Sequence, residues 1–211
     1  MTSLSSSLNN KIAAIDFGTG ESLELSNQGE VRRFRIEEQN FAIKQPKGHG
    51  LARSIRTASL KHEYRAYRKL SGITGIPTCF GLISGRLVLE YVQGTPLRSA
   101  NLDSTSPYFA TLLQLIRAMH ARGVAHGDLK RKSNLLIDSA GQPVIIDFGT
   151  AIIEKPGWRP INQRLFNFIC QTDLNAWIKL KYGGYENLSP EDARIFRRTR
   201  IENLLSVWRR P

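Results

Sequence analysis

Cysteine is scarce in this sequence, and long apolar runs are missing. Cys79 and Cys170 are the two cysteines in 211 residues, and neither has a partner at a metal-binding spacing. We therefore expect two reduced, buried thiols, as in a cytoplasmic protein, and no disulfide. No apolar run approaches the roughly 20 residues that cross a bilayer. Residues 1–10 are rich in Ser and Asn and lack the basic start and apolar core of a secretory signal, so we expect a cytoplasmic, non-transmembrane chain.

Acidic residues are also few. There are 18 Asp and Glu against 30 Lys and Arg, which gives a formal net charge of +12. Such a charge favours polyanionic partners: a nucleotide, RNA, a phosphorylated lipid or an acidic protein surface. A basic solvated surface without a specific partner is the alternative. The 41% hydrophobic and 23% charged residues are ordinary for a globular protein, and the length allows one domain or two small lobes.

Apolar periodicity predicts the main elements. Alternation over residues 21–44 predicts three short strands, and helical spacing over residues 54–70 predicts a basic amphipathic helix, preceded by a basic loop over residues 45–56. Further along the chain we expect a turn and strand over 73–83, a strand over 86–92, a helix over 107–122 ending at Gly123, a helix through 172–177, and a last helix opened by Ser189 and Pro190.

Two polar segments joined by a short apolar hairpin carry the chemistry. The first runs from His126 to Asn134 and reads HGDLKRKSN, and the second is Asp-Phe-Gly at 147–149. In a loop after a helix, the Asp128 carboxylate can accept or orient a proton from a hydroxyl nucleophile. Asn134 and Asp147 flank apolar strand segments, so both can point to one spot. Amide and carboxylate oxygens are ligands that Mg²⁺ prefers.

In order and spacing, these segments resemble the catalytic loop and the Asp-Phe-Gly motif of the protein kinase superfamily. The resemblance implies an α+β, bilobal fold, with a β-sheet N-lobe that carries one helix and a reduced, mainly helical C-lobe. It implies an N-terminal extension over 1–20, an N-lobe over 21–93, and a C-lobe over 94–211 that ends in a basic helix.

The resemblance also implies roles for N-lobe residues. Lys44 ends the segment Phe-Ala-Ile-Lys and would contact the α- and β-phosphates of ATP, and Glu63, 19 residues later, would hold that lysine. The turn at residues 26–30 lies where kinases have a glycine-rich loop, but it carries only Gly29. Gly29 is the candidate phosphate contact there, and a plain hairpin is the alternative.

A hinge for adenine is implied by residues 86–92. The backbone groups of Glu90 and Val92 would bind the base, and Leu89 would line the pocket behind it. Residues 93–96, Gln-Gly-Thr-Pro, are expected to form the linker between the lobes.

The catalytic loop departs from the family in its spacing. Asp128 would orient the acceptor hydroxyl, and Lys130 would offset charge on the transferred group. Mg²⁺, or Mn²⁺, would be held by Asp147 and Asn134. Asn134 stands six residues after Asp128, one more than in the family, and Ser133 occupies the usual place. We expect a one-residue insertion and choose Asn134 as the ligand.

Neighbouring residues indicate what supports the loop. Gly127 replaces the arginine of His-Arg-Asp, which argues against control by a phosphorylated activation loop. His126 is expected to be structural. Asp173 would hold the loop backbone or, with Thr172, cap a helix. Asp16, in an earlier Asp-Phe-Gly, is expected to lie in a turn without a function.

The small size, the His-Gly-Asp motif and the missing activation segment resemble the atypical branch of RIO kinases, the KEOPS-complex kinase and bacterial lipopolysaccharide Kdo/WaaP kinases. The implied function is a RIO-like Ser/Thr protein kinase that uses ATP. The alternatives are a lipopolysaccharide core sugar (Kdo or heptose) kinase and a regulatory ATPase associated with RNA or a protein complex.

The acceptor would be a protein or a phosphorylated glycolipid. Basic helices could contact RNA or lipid headgroups, with the chain peripheral at the inner face of a membrane. The C-terminal basic residues are Arg194, Arg197, Arg198, Arg200, Arg209 and Arg210.

Overall fold

A computed structural model describes residues 4–26 and 29–197 of the chain. These described residues divide into two compact units, one within residues 4–93 and 146–149 and the other within residues 94–145 and 150–197. The first contains a sheet and two helices, and the second contains helices with two small sheets. The predicted α+β class is confirmed.

The first unit is built on a five-stranded antiparallel sheet with the order β1-β2-β3-β5-β4. The three strands predicted over 21–44 are present as β1 to β3. The elements of this unit are α1 (Ser6–Ala14), β1 (Glu21–Ser26), β2 (Gly29–Ile36), β3 (Gln39–Gln45), α2 (Gly50–Lys69), β4 (Cys79–Ile83) and β5 (Arg86–Glu90).

Helix α1 was not expected from the sequence, yet it contributes to the core of the first unit. Leu8 and Ile12, one turn apart, are buried in one cluster with Phe17 and with apolar side chains of the sheet. Ser5 caps the helix by accepting a hydrogen bond from the backbone N–H of Leu8. Asp16 lies in a turn, as predicted, and its carboxylate accepts a hydrogen bond from the Gly18 N–H.

Helix α2 begins at Gly50, four residues before the predicted start, so part of the predicted loop is helical. The correction has a physical reason. Leu51 in the first turn is 78% exposed, so the first turn lacks the buried apolar face that marks a helix in a sequence. The buried face begins later, at Leu60, and includes Glu63 and Tyr67.

The second unit pairs two long helices with two short sheets. Segment 93–96, predicted as a linker, contains strand β6, and α4 begins at Pro160, well before the helix predicted through 172–177. The sheets have the orders β6-β8-β9 and β7-β10. The elements are β6 (Gly94–Pro96), α3 (Pro107–Ala121), β7 (Val124–Ala125), β8 (Leu135–Asp138), β9 (Pro143–Ile145), β10 (Ile152–Ile153), α4 (Pro160–Tyr182) and α5 (Pro190–Ala193).

The core of the second unit lies between α3 and α4. Leu112, Ile116 and Met119 of α3 are fully buried, and the indole of the buried Trp177 donates a hydrogen bond to the Phe109 carbonyl at 2.8 Å. Since a buried indole N–H needs an acceptor, this bond fixes how the two helices pack.

The last helix is shorter than expected. Ser189 caps α5 as predicted, but the helix ends at Ala193, so Arg194 and Arg197 follow it rather than belong to it. The remaining predicted basic residues, Arg198, Arg200, Arg209 and Arg210, lie outside the described residues. Among the described helices, none is long and apolar enough to cross a bilayer.

Candidate active site

The first unit brings three predicted residues together. The Lys44 ammonium, at the end of β3, lies 2.8 Å from Glu63 Oε2 of α2 and 2.9 Å from Asp147 Oδ1. Lys44 and Glu63 are almost fully buried, whereas the Asp147 side chain is partly exposed. A buried charge is tolerated when it is paired and hydrogen-bonded, and here the lysine has two carboxylate partners.

Burial and charge oppose each other at this ion pair. Burial on its own lowers the pKa of Lys44, but Glu63 and Asp147 outweigh it, so the pKa of Lys44 lies above its ordinary value and the amine stays charged. Burial raises the pKa of Glu63, and the Lys44 ammonium offsets part of that rise. The result is a fixed positive charge beside the exposed part of Asp147.

The backbone of Asp147 is held in an unusual conformation. Its φ of 63° is in the left-handed region, which aspartate tolerates better than most residues. The Asp147 N–H donates a hydrogen bond to the hydroxyl of Tyr67 at 3.2 Å, and the ring of Tyr67 packs edge-on against Phe148. Burial raises the pKa of Tyr67 well above its ordinary value, so the phenol stays neutral.

Tyr67 contacts the candidate site but was not among the predicted site residues, because a tyrosine in an amphipathic helix is usually a packing residue. A signal was present. Tyr67 lies four residues after Glu63, and residues at that spacing share a helix face. One face of α2 therefore holds both Lys44, through Glu63, and the backbone of Asp147, through Tyr67.

The second unit brings Asp128 and Asn134 together. The Asn134 amide is buried, and its Nδ2 donates hydrogen bonds to the backbone oxygen of Asp128 at 3.1 Å and to its carboxylate at 3.4 Å. Ser133 instead accepts a hydrogen bond from Arg131. A short 3-10 turn at Lys132–Asn134 accommodates the longer spacing between Asp128 and Asn134.

The loop backbone is anchored to α4. Asp173 is fully buried, and its carboxylate accepts hydrogen bonds from the N–H groups of His126 at 2.7 Å and Gly127 at 2.9 Å. It also lies 3.0 Å from Nε2 of His120. Since α4 begins at Pro160, Asp173 is not a helix cap, and its predicted role as a holder of the loop is confirmed.

His126 and Gly127 are explained by the local backbone. His126 is buried, and its Nδ1 accepts the Asp128 N–H, as expected for a structural residue. Gly127 has a φ of 80°, and a Cβ there would lie 3.2 Å from the Thr150 carbonyl oxygen. A side chain at this position would be strained, so glycine suits this backbone conformation.

The other predicted residues have simpler surroundings. Lys130 is an exposed residue of the catalytic loop. Leu89 is buried in β5, the Glu90 carboxylate accepts the Thr78 N–H, and Val92 follows the strand. Gly29 begins β2, next to residues outside the described part of the chain.

Each unit offers an oxygen ligand. In the first unit Asp147 has a partly exposed carboxylate, and in the second unit the amide nitrogen of Asn134 faces Asp128, which leaves the amide oxygen as a ligand. Such oxygens suit Mg²⁺ or Mn²⁺ rather than a thiolate-preferring metal. No cluster of three or more His, Cys, Asp or Glu side chains fit to hold a metal occurs in the described residues.

Comparison with known proteins identifies the family. A model of the protein kinase domain matches residues 27–165, which is well over half of the chain. The chain belongs to the protein kinase domain family. The matched region of this kinase domain contains Lys44, Glu63, Asp128, Asn134 and Asp147.

Curated kinases from several organisms are similar to this kinase domain. Putative CBL-interacting protein kinase 13 of Oryza sativa subsp. japonica is 30% identical over 168 residues, which cover 74% of the chain and 32% of the relative. CBL-interacting serine/threonine-protein kinase 3 of Arabidopsis thaliana is 30% identical over 140 residues, which cover 62% of the chain and 30% of the relative. Serine/threonine-protein kinase D of Synechocystis is 35% identical over 74 residues, which cover 34% of the chain and 14% of the relative. The kinase domain thus spans about a third or less of these relatives' length.

Proposed function

We propose that this kinase domain transfers the γ-phosphoryl group of ATP to a hydroxyl group, as an atypical, RIO-like Ser/Thr protein kinase. The observation that supports the proposal most strongly is the grouping of Lys44, Glu63 and Asp147. A lysine held by a helix glutamate next to a carboxylate is the arrangement that kinases use to bind phosphates and metal. The similarity to Ser/Thr kinases supports a protein acceptor.

The roles follow from the chemistry of each side chain. Lys44 binds the α- and β-phosphates, and Asp147 and Asn134 hold Mg²⁺, which neutralises phosphate charge when bound. Asp128 accepts the proton of the acceptor hydroxyl as its oxygen forms the new bond to phosphorus. The bond from the γ-phosphorus to the bridging oxygen breaks, and ADP leaves. Lys130 offsets charge on the transferred group.

The nucleotide base is proposed to bind along the end of β5. The backbone groups of Glu90 and Val92 would pair with adenine, and Leu89 would supply an apolar surface behind it. Gly29, at the start of β2, would offer its N–H to a phosphate.

Gly127 supports placement in the atypical branch. Gly127, whose left-handed φ would strain a side chain, stands in place of the arginine that couples other kinases to a phosphorylated activation loop. We therefore propose a kinase that is active without phosphorylation of such a loop.

A phosphorylated glycolipid, such as a lipopolysaccharide core sugar, is the second candidate acceptor. The net charge of +12 favours it, because a basic protein attracts an acceptor that already carries phosphate. The same charge favours RNA as a partner of a regulatory ATPase.

The test follows label from γ-labelled ATP, with Mg²⁺, into three products: protein, lipopolysaccharide core and free phosphate. The variants are Asp128→Asn and Asp147→Asn, and the control is Asp103→Asn, an exposed carboxylate of the second unit. Loss of the base at Asp128 should lower transfer roughly 10²- to 10⁴-fold. Circular dichroism checks that each variant is folded.

Each outcome decides between the acceptors. Label in protein that is lost in both active-site variants supports the Ser/Thr kinase. Label in the glycolipid favours the sugar kinase, and free phosphate alone favours the regulatory ATPase. A folded wild-type protein that transfers no label to any product overturns the proposed activity.

A further inference from the structure

The second unit exposes three apolar side chains around the start of α4. Trp158 is 88% exposed and Ile161 82% exposed, and Leu165 is also exposed one turn later. Ile161 and Leu165 are four residues apart on α4 and share a helix face, and Trp158 lies in the turn that leads into the helix. With the exposed basic residues between and beside them, we call this the Trp158 surface: Lys155, Trp158, Arg159, Ile161, Arg164 and Leu165.

The backbone that presents Trp158 is fixed by its own hydrogen bonds. The Asn162 side chain accepts the Lys155 N–H at 2.7 Å and donates to the Ile153 carbonyl at 3.1 Å. The turn from 153 to 162 is therefore closed, and β10 at its start pairs with β7. A tryptophan held in solvent on a preorganised turn is a feature of binding surfaces, since little conformational freedom remains to be lost on binding.

The charge of the Trp158 surface has one sign. Lys155, Arg159 and Arg164 are basic, and no Asp or Glu occurs between residues 155 and 172. A second copy of the chain would meet like charge here, so self-association is disfavoured. The Trp158 surface therefore fits an anionic partner that can also bury protruding apolar side chains.

We propose that the Trp158 surface docks this kinase domain on a lipid bilayer with anionic headgroups. Tryptophan concentrates at the membrane–water interface, and short helices with apolar side chains on one face and Lys or Arg at the flanks lie in that interface. A fluid headgroup layer admits side chains that protrude as far as Trp158 and Ile161, whereas a protein partner needs a preformed acidic groove. The three cations would lie among lipid phosphates. Docking of the Trp158 surface on a bilayer does not require the proposed phosphotransfer activity.

The test is flotation of the whole chain with phosphatidylcholine vesicles, with and without phosphatidylglycerol. We expect binding only with the anionic lipid, and weaker binding at high salt. Trp158→Ala with Ile161→Gln, and separately Arg159→Gln with Arg164→Gln, should each lower the vesicle association constant at least tenfold. The emission maximum of Trp158, taken as wild type minus Trp158→Phe, should shift to shorter wavelength on binding.

Matched controls use the other exposed aliphatic pair, on α2. Leu51→Gln with Ile55→Gln removes two exposed apolar side chains, and Arg53→Gln with Lys61→Gln removes two charges, so both should leave binding unchanged. Asp128→Asn should also bind vesicles normally, which separates this proposal from the phosphotransfer activity. The proposal is overturned if the α2 controls lose as much vesicle binding as the Trp158 surface variants. It is also overturned if the wild type binds neutral vesicles equally well, or if the Trp158 surface variants bind anionic vesicles like the wild type. Binding to an acidic protein or RNA but not to vesicles would also overturn it.

Discussion

At the scale of single residues, the site of the first unit depends on two contacts made by helix α2. Glu63 binds the Lys44 side chain, and Tyr67 binds the backbone of Asp147. Losing one partner of a buried ion pair leaves an uncompensated charge, whereas losing the Tyr67 hydroxyl removes a single neutral hydrogen bond. Tyr67 therefore offers a mild and specific change at the site.

We expect Tyr67→Phe to lower kcat roughly fivefold and to raise the Mg²⁺ concentration needed for half-maximal activity. The lost hydrogen bond is worth about 1 kcal/mol, and the phenyl ring still packs on Phe148. The measurement is steady-state ATP turnover against Mg²⁺, beside thermal unfolding. The control is Tyr64→Phe on the same helix, where the Tyr64 ring faces Arg68. If both variants lose stability equally and neither changes the Mg²⁺ dependence, Tyr67 does not position Asp147.

At the scale of elements, the catalytic loop is held by a helix distant in sequence. Asp173 of α4 accepts two backbone N–H groups of a loop that is 46 and 47 residues away. The His126 N–H is buried and the Gly127 N–H is partly buried, so the Asp173 carboxylate gives both groups an acceptor that water would not readily supply.

We expect Asp173→Ala to lower the free energy of unfolding by about 2–5 kcal/mol, because one buried and one partly buried N–H group lose their acceptor. Asp173→Asn should cost less, since its amide oxygen can still accept one of the two hydrogen bonds. Urea unfolding measures the free energy, and amide hydrogen exchange at His126 and Gly127 should accelerate in both variants. Asp192→Asn is the matched control, because Asp192 binds Lys181 and Tyr182 instead. Unchanged exchange at His126 and Gly127 in the Asp173 variants would contradict the anchoring role.

At the scale of the whole molecule, each compact unit contains one free cysteine. Cys79 lies in the first unit and Cys170 in the second. Burial raises the pKa of Cys79 from 9.0 to about 11, and burial with the nearby Asp173 and Glu154 carboxylates raises the pKa of Cys170 to about 12. Both cysteines are free, but each is only half-buried, so the predicted burial of the two thiols is wrong; Cys79 lies on β4, where every residue is half-buried.

We expect thiol labelling at pH 8 to be about a hundredfold or more slower in the folded protein than in urea, because the thiolate is the reactive form. Raised folded-state pKa values also mean that the thiols favour the fold below about pH 9, and that this contribution is lost as the pH rises toward 11. The measurement is the rate of thiol labelling from pH 7 to 10. The variants Cys79→Ser and Cys170→Ser assign each rate to one thiol, and so to one of the two units. Equal rates in folded and unfolded protein would contradict the raised thiol pKa values.

The sequence by itself determined the features that depend on neighbours along the chain. The strands of residues 21–44, the helix over 107–121, the Ser189 cap and the family of the chain all follow from local periodicity and from motifs with fixed spacing. The candidate residues Lys44, Glu63, Asp128, Asn134 and Asp147 were named in this way, because motif spacing is a property of the chain alone.

Tertiary structure decided what depends on contacts between distant segments. Nothing local shows that Leu8 and Ile12 join the sheet core, that Tyr67 receives the Asp147 N–H, or that Asp173 accepts the N–H groups of His126 and Gly127. Nor does the sequence show that Trp158 is exposed while Trp177 is buried. Burial and hydrogen-bond partners are set by which surfaces the folded chain brings together, and the same residue type serves either purpose.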